Sequence, residues 1–152
     1  MPAVRRIIAV ACAALALSTS RGEAANSCTV SATPVSFGAY DRLSRTDLSA
    51  LGGITVNCTA SGQIVIFLSA GGAGSFSPRR MLAAGNSPLY YNLYIDLPGT
   101  RIWGDGTGGS QSLTATSAAG STPFQVFGRI PAQQGTVRVG TYSDTIMVTV
   151  NF

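Results

Sequence analysis

A nucleophilic serine needs a base beside it, and this sequence contains neither His nor Lys; its ten basic residues are all Arg. Paired carboxylates could come from Asp41, Asp47, Asp96, Asp105 and Asp144. All five sit among turn-forming residues, which suits capping and turn formation better. The run Gly104-Asp105-Gly106-Thr107-Gly108-Gly109 is similar to phosphate-cradling loops, but it carries no Lys and opens no helix, so it reads as a turn. Asp105 has no second acid nearby and would hold calcium only weakly. Without His the commonest metal ligand is missing as well. The expectation is a protein that is not an enzyme, with no cofactor, no metal and no small-molecule substrate. Tyr90, Tyr94 and Trp103 could form an exposed aromatic patch for a sugar or a surface, although such residues more often cover a sheet face.

The cysteines set the compartment. Arg5 and Arg6 precede an apolar run, Ile7 to Leu17, that is too short to span a bilayer. Small residues follow, and Gly22-Glu23-Ala24 fits a cleavage site, so residues 1–24 read as a secretory signal peptide and 25–152 as one domain. An N-terminal anchor is the alternative. Cys12 lies inside the apolar run; Cys28 and Cys58 remain. An even pair in a secreted chain reads as one disulfide, which contributes about 3.5 kcal/mol for a loop of this size in the chain-entropy model; two free buried thiols are the other reading. Seven Arg and five acids also remain, a net charge of +2 with no basic run, which gives no case for nucleic acid.

The elements that would position these residues are strands. Cys28 to Ala32 and Gly53 to Cys58 alternate, with both cysteines in inward phase. Val35 and Phe37 continue the first strand past Pro34 on an edge. Residues 38–53 form a long polar connection with a helical turn around Arg45 to Leu51. Gln63 to Ser69 is apolar on both faces and therefore central. Arg80 to Leu82 is a short edge strand. Leu89 to Ile95 and Arg101 to Trp103 form a hairpin around Asp96-Leu97-Pro98-Gly99. Leu113 to Thr116 and Phe124 to Ile130 follow. From Tyr142 to Phe152 strict alternation puts Ile146, Val148, Val150 and Phe152 on one face. Seven or eight short strands without a helical pattern make an all-β, immunoglobulin-like sandwich. A strand that ends the sequence needs its free edge covered, by an earlier strand or by one from another molecule.

Several segments in order resemble the spore coat protein U domain, shared with pilins of the archaic chaperone–usher pathway. They are Cys28-Thr29-Val30, Val56-Asn57-Cys58-Thr59, Leu89-Tyr90-Tyr91-Asn92-Leu93-Tyr94, Arg101-Ile102-Trp103-Gly104-Asp105-Gly106, Phe127-Gly128-Arg129-Ile130-Pro131, and Gly140-Thr141-Tyr142-Ser143-Asp144-Thr145 with Val148-Thr149-Val150-Asn151-Phe152. The resemblance implies a sandwich missing its last strand. A periplasmic assembly chaperone would lend that strand, and an outer-membrane usher would exchange it for the N-terminal extension of another pilin or coat subunit. It implies a groove walled by Ile146, Val148, Val150 and Phe152 on one side and by Val30 and Ala32 on the other. Four or five donor side chains would contribute roughly 6–15 kcal/mol, comparable to the stability of a small domain. Only Ala25, Asn26 and Ser27 separate the expected cleavage site from Cys28, so the subunit is expected to accept a strand and not to supply one, in a minor or tip position. The implied location is the surface of a Gram-negative bacterium, in a pilus or a coat. An adhesin-like module with a self-complete sandwich is the alternative; it would bind through Ala70 to Ser77, Gly104 to Ser110 and the three aromatics.

Overall fold

The computed structural model describes residues 25–83 and 87–152; the expected leader, with Cys12, lies outside them. Eight strands follow in order: β1 (Cys28–Thr33), β2 (Leu48–Cys58), β3 (Gly62–Leu68), β4 (Arg79–Leu82), β5 (Pro88–Tyr94), β6 (Leu113–Ser117), β7 (Gly120–Ile130) and β8 (Val148–Asn151). They form a five-stranded sheet, β1-β2-β7-β5-β4, facing a three-stranded sheet, β6-β3-β8. This is an immunoglobulin-like sandwich in which every ladder is antiparallel. β3 is the middle strand of its sheet, as its two apolar faces require.

The core lies between the sheets. Alternate residues of β2 (Ile54, Val56), β3 (Ile64, Ile66, Leu68), β5 (Leu89, Tyr91, Leu93) and β7 (Val126, Ile130) are buried. Cys28 stands directly opposite Cys58 in the β1–β2 ladder, and the two form a disulfide. Between β5 and residues 101–103 the Tyr94–Ile102 bridge closes the expected hairpin. At its tip the Asp96 carboxylate accepts the Thr100 and Arg101 amides, which holds it below the usual carboxylate range, the Thr100 hydroxyl contributing most.

Two local expectations give way to tertiary context. No helical turn forms around Arg45 to Leu51. Leu48–Leu51 is extended because it pairs with Phe127–Ile130 of β7, and a sheet partner outweighs weak local helix preference. The strand expected to resume at Val35 and Phe37 does not form a ladder. These residues leave the sheet edge, and their side chains turn into the interior onto Gly52 and Gly128. A Cβ at Gly52 would meet Val35 at 2.6 Å, and one at Gly128 would meet Phe37 at 2.8 Å, so both strands need glycine at these positions.

Candidate functional site

β1 and β8 are outermost strands of their sheets, and among the described residues no strand pairs with the outer edge of either. Along β1, Val30 stands opposite Val56 and Ala32 opposite Ile54, so the members of each pair point to the same face. Yet Val56 and Ile54 are 0% and 2% exposed, while Val30 is 42% exposed and Ala32 is exposed too. Inward-facing residues open to solvent mark the place where the second sheet fails to reach β1.

Above this open edge the gap deepens into a cleft of about 1000 Å³. One wall is the segment 32–42, the other is 137–148, and the floor includes Leu68, Met81, Leu89, Val126 and Ile130. Beyond Ala32–Thr33 and Val148 the walls belong to no strand, Gly38 turns the first of them with φ +71°, and their backbones are largely unused. Residues 34–40 and 144–146 make no backbone–backbone hydrogen bond to any described residue. The second wall touches the sheets through the Leu82–Ser143 bridge and through Met147, which exchanges bonds with Ser69.

Side chains hold the walls in place. Val35 and Phe37 seat on the glycines of β2 and β7, and Phe37 meets the Tyr91 ring edge-on at 6.2 Å. The Tyr40 hydroxyl donates to the Pro131 carbonyl at 2.8 Å and accepts the Gln134 amide at 3.0 Å. On the other wall, the Tyr142 hydroxyl donates to the Arg138 carbonyl. Asp144 Oδ2 accepts the Tyr91 hydroxyl at 2.6 Å, and Oδ1 accepts the Gly72 and Thr145 amides at 2.8 Å. Burial, then the bond to Asp144, pushes the Tyr91 hydroxyl far above its ordinary range, so it remains a donor.

Of the groove residues expected from sequence, Ala32, Ile146 and Val148 line the cleft. Val30, Val150 and Phe152 lie below it, along the continuing open edge: Val150 is half-buried opposite Ile66, and Phe152 is 57% exposed. The terminal strand is shorter than its alternation suggests, because β3 ends at Leu68 and pairs only with Val148–Asn151.

The aromatic patch is not assembled. Trp103 is fully buried, its indole nitrogen donating to the Ile66 carbonyl at 3.1 Å. Tyr94 lies under the Arg129 guanidinium, and Tyr90 is 39% exposed on a strand whose alternate residues point inward. Trp103 falls at the end of the hairpin where the chain crosses between the sheets, and its indole fills that crossing. The expected loop 104–109 is a set of turns in which Asp105 accepts the Thr107 hydroxyl and amide, which lowers its pKa.

Sequence reading missed Arg79, which is fully buried. Its guanidinium donates to the Ser69 and Trp103 carbonyls and to Asn92 Oδ1 at 2.7–2.8 Å and lies over Phe76. Burial lowers its pKa; Tyr91, Asp144 and Asp105 act the other way. One position along, Arg80 is exposed, and only the β4 register distinguishes the two.

Comparison with known proteins comes to the same architecture. A family model described as the Spore Coat Protein U domain matches residues 14–149. No curated protein matches the sequence. Among solved structures, one similar chain comes from a chaperone–tip adhesion subunit pre-assembly complex of archaic chaperone–usher Csu pili of Acinetobacter baumannii. It is 21% identical with a TM-score of 0.59, over 84% of this chain and 40% of that one. A second comes from a chaperone–tip adhesin complex of CFA/I fimbriae, 13% identical with a TM-score of 0.45, over 80% of this chain and 41% of that one. The chain thus spans about two fifths of the length of these relatives.

Proposed function

The chain belongs to the Spore Coat Protein U domain family, and from that premise we propose that it is a structural subunit of a bacterial surface pilus or coat whose cleft receives one β-strand from another protein. The observation that carries this reading is the pair of walls, with residues 34–40 and 144–146 free of backbone–backbone bonds to described residues, on either side of an apolar cleft. A single strand lying between them would satisfy both rows of N–H and C=O groups and insert alternate side chains onto Leu68, Met81, Leu89, Val126 and Ile130. The donors that suit such a slot are a periplasmic assembly chaperone and, after handover at an outer-membrane usher, another subunit. The setting is the surface of a Gram-negative cell.

Within this reading the subunit accepts a strand and supplies none, which suits a minor or tip position. Support comes from the residues before Cys28. The Asn26 side chain accepts the Thr59 hydroxyl and the Ala60 amide, and Ser27 exchanges bonds with Thr59. These residues are tied to the chain's own β2–β3 turn.

The test is thermal unfolding of the secreted chain with and without a soluble capped peptide alternating Val and Thr, together with binding of a dye specific for exposed apolar surface. Strand acceptance raises the melting temperature and suppresses dye binding. A free chain that melts high, binds no dye and ignores the peptide would show that the sandwich is complete in itself.

A further inference from the structure

The cleft walls keep their backbones free only because something other than backbone holds them in place, and the Asp144 carboxylate is the most fully engaged of these anchors. We propose that Asp144, gripped by Tyr91 and the Gly71–Gly72 turn, is the positioning residue that holds the second wall in place and ready for a strand before any partner arrives. The inference rests on the strand-accepting reading of the cleft.

Three observations lead there. First, Asp144 lies at the middle of the wall, two residues before Ile146, and both line the cleft. Second, its two oxygens reach in different directions. Oδ2 takes the hydroxyl of Tyr91, which rises from β5 in the five-stranded sheet, and Oδ1 takes the amide of Gly72, in the turn that follows β3 in the other sheet. One carboxylate therefore ties the wall to both sheets across the cleft's end. Third, that turn is shaped to the carboxylate. Gly71 has φ +77°, and a Cβ there would collide with the Asp144 carboxylate, so glycine is required on both counts. The hydroxyl of Tyr91, whose residue is 4% exposed, has no other hydrogen-bond partner among the described residues, so losing the acceptor strands a buried donor.

The consequence is kinetic and thermodynamic preorganisation. A wall of 144–146 with no backbone bonds and no anchor would sample many conformations, and apparent strand affinity falls in proportion to the fraction that is competent. With Asp144 in place the slot is already formed, and an incoming strand orders only itself.

The test measures the affinity and association rate of the alternating Val/Thr peptide on the secreted, disulfide-bonded chain, beside its unfolding midpoint. Asp144→Ala is expected to weaken binding about tenfold, chiefly through slower association. Asp144→Asn keeps an acceptor and a polar partner and is expected to retain most of the affinity. Tyr91→Phe, which keeps the ring against Phe37, is expected to fall between them and serves if Asp144→Ala does not fold. Asp96→Ala is the control: it uncaps a hairpin away from the cleft and is expected to cost stability while leaving peptide affinity within about twofold. If the wild-type chain ignores the peptide, the strand-accepting reading falls and this inference with it. If wild type binds and the Asp144 and Tyr91 variants bind equally well, the positioning role alone is overturned.

Discussion

Two regions of this sandwich are built from similar apolar residues and end in opposite states. Around Trp103 and Arg79 the sheets close completely. Here buried groups are matched: the indole donates to Ile66, and the Arg79 guanidinium answers two carbonyls and an amide oxygen. Among the described residues no buried side-chain nitrogen or oxygen lacks a partner. Around Ala32 and Ile146 the sheets stay apart, and inward-facing side chains look onto open space between unpaired backbones. Hydrophobic patterning alone therefore does not close a sandwich. At the closed end the outermost strand β4 is secured by Arg79, which bonds to the Ser69 and Trp103 carbonyls, whereas along the outer edges of β1 and β8 no described strand takes up the backbone groups.

The contrast can be broken most forcefully at its closed end. Arg79→Met removes the cation and leaves the Ser69 and Trp103 carbonyls without the guanidinium in a dry site, while Asn92 Oδ1 keeps only the Leu93 amide. We expect a loss of about 3–5 kcal/mol in chemical denaturation. Peptide binding by the molecules that remain folded should be unchanged, since Arg79 does not line the cleft. A loss under about 1 kcal/mol would mean that water reaches this site and that the closed region is not closed.

The open end should respond in the reverse way. Ile146→Asp puts a charge on the cleft wall, where the free chain already exposes part of the side chain. Its unfolding free energy should change by about 1 kcal/mol or less, while peptide affinity should drop tenfold or more, because a strand would bury the charge without a partner. A fall in stability matching that of Arg79→Met would instead put Ile146 in a closed core.

The smallest effect sharpens the comparison through pH. The Asp96 and Asp105 carboxylates are held below their ordinary pKa by local hydroxyl and amide donors. A depressed folded pKa contributes stability above the unfolded value and loses it as pH falls through the folded one. Denaturation midpoints should therefore be flat with respect to these two groups from about pH 5 to 8 and decline below about pH 4. Asp96→Asn and Asp105→Asn should each flatten that decline. Both sit on exposed turns, so the effect is modest; an acid slope untouched by either change would assign it to other carboxylates.

Much of the frame is legible in the residues. Alternation in β2, β5 and β8 predicts which side chains point inward, and the cysteines share a phase that the β1–β2 register turns into a disulfide. The cleft is legible only in part. Ala32, Ile146 and Val148 follow from the resemblance and from period-2 patterning, but Tyr40, Phe37 and Tyr91 reach it from distant parts of the chain. Arg79 and Trp103 were unreadable for the same reason. A buried arginine looks like a surface one until its carbonyl partners, ten and twenty-four residues away in sequence, converge on it.

The residues fix only local features on their own: strand-forming alternation, turns at Asp and Gly, a cysteine pair in one phase, and a scarcity of catalytic side chains. Each depends on residues within a few positions of one another, where backbone sterics and side-chain period suffice. The tertiary structure alone decided which edges stay unpaired, that Val35 and Phe37 would leave the ladder to pack on Gly52 and Gly128, and that Asp144 would join both sheets. Those outcomes depend on contacts between residues far apart in the chain, set by competition among strands for a limited number of partners.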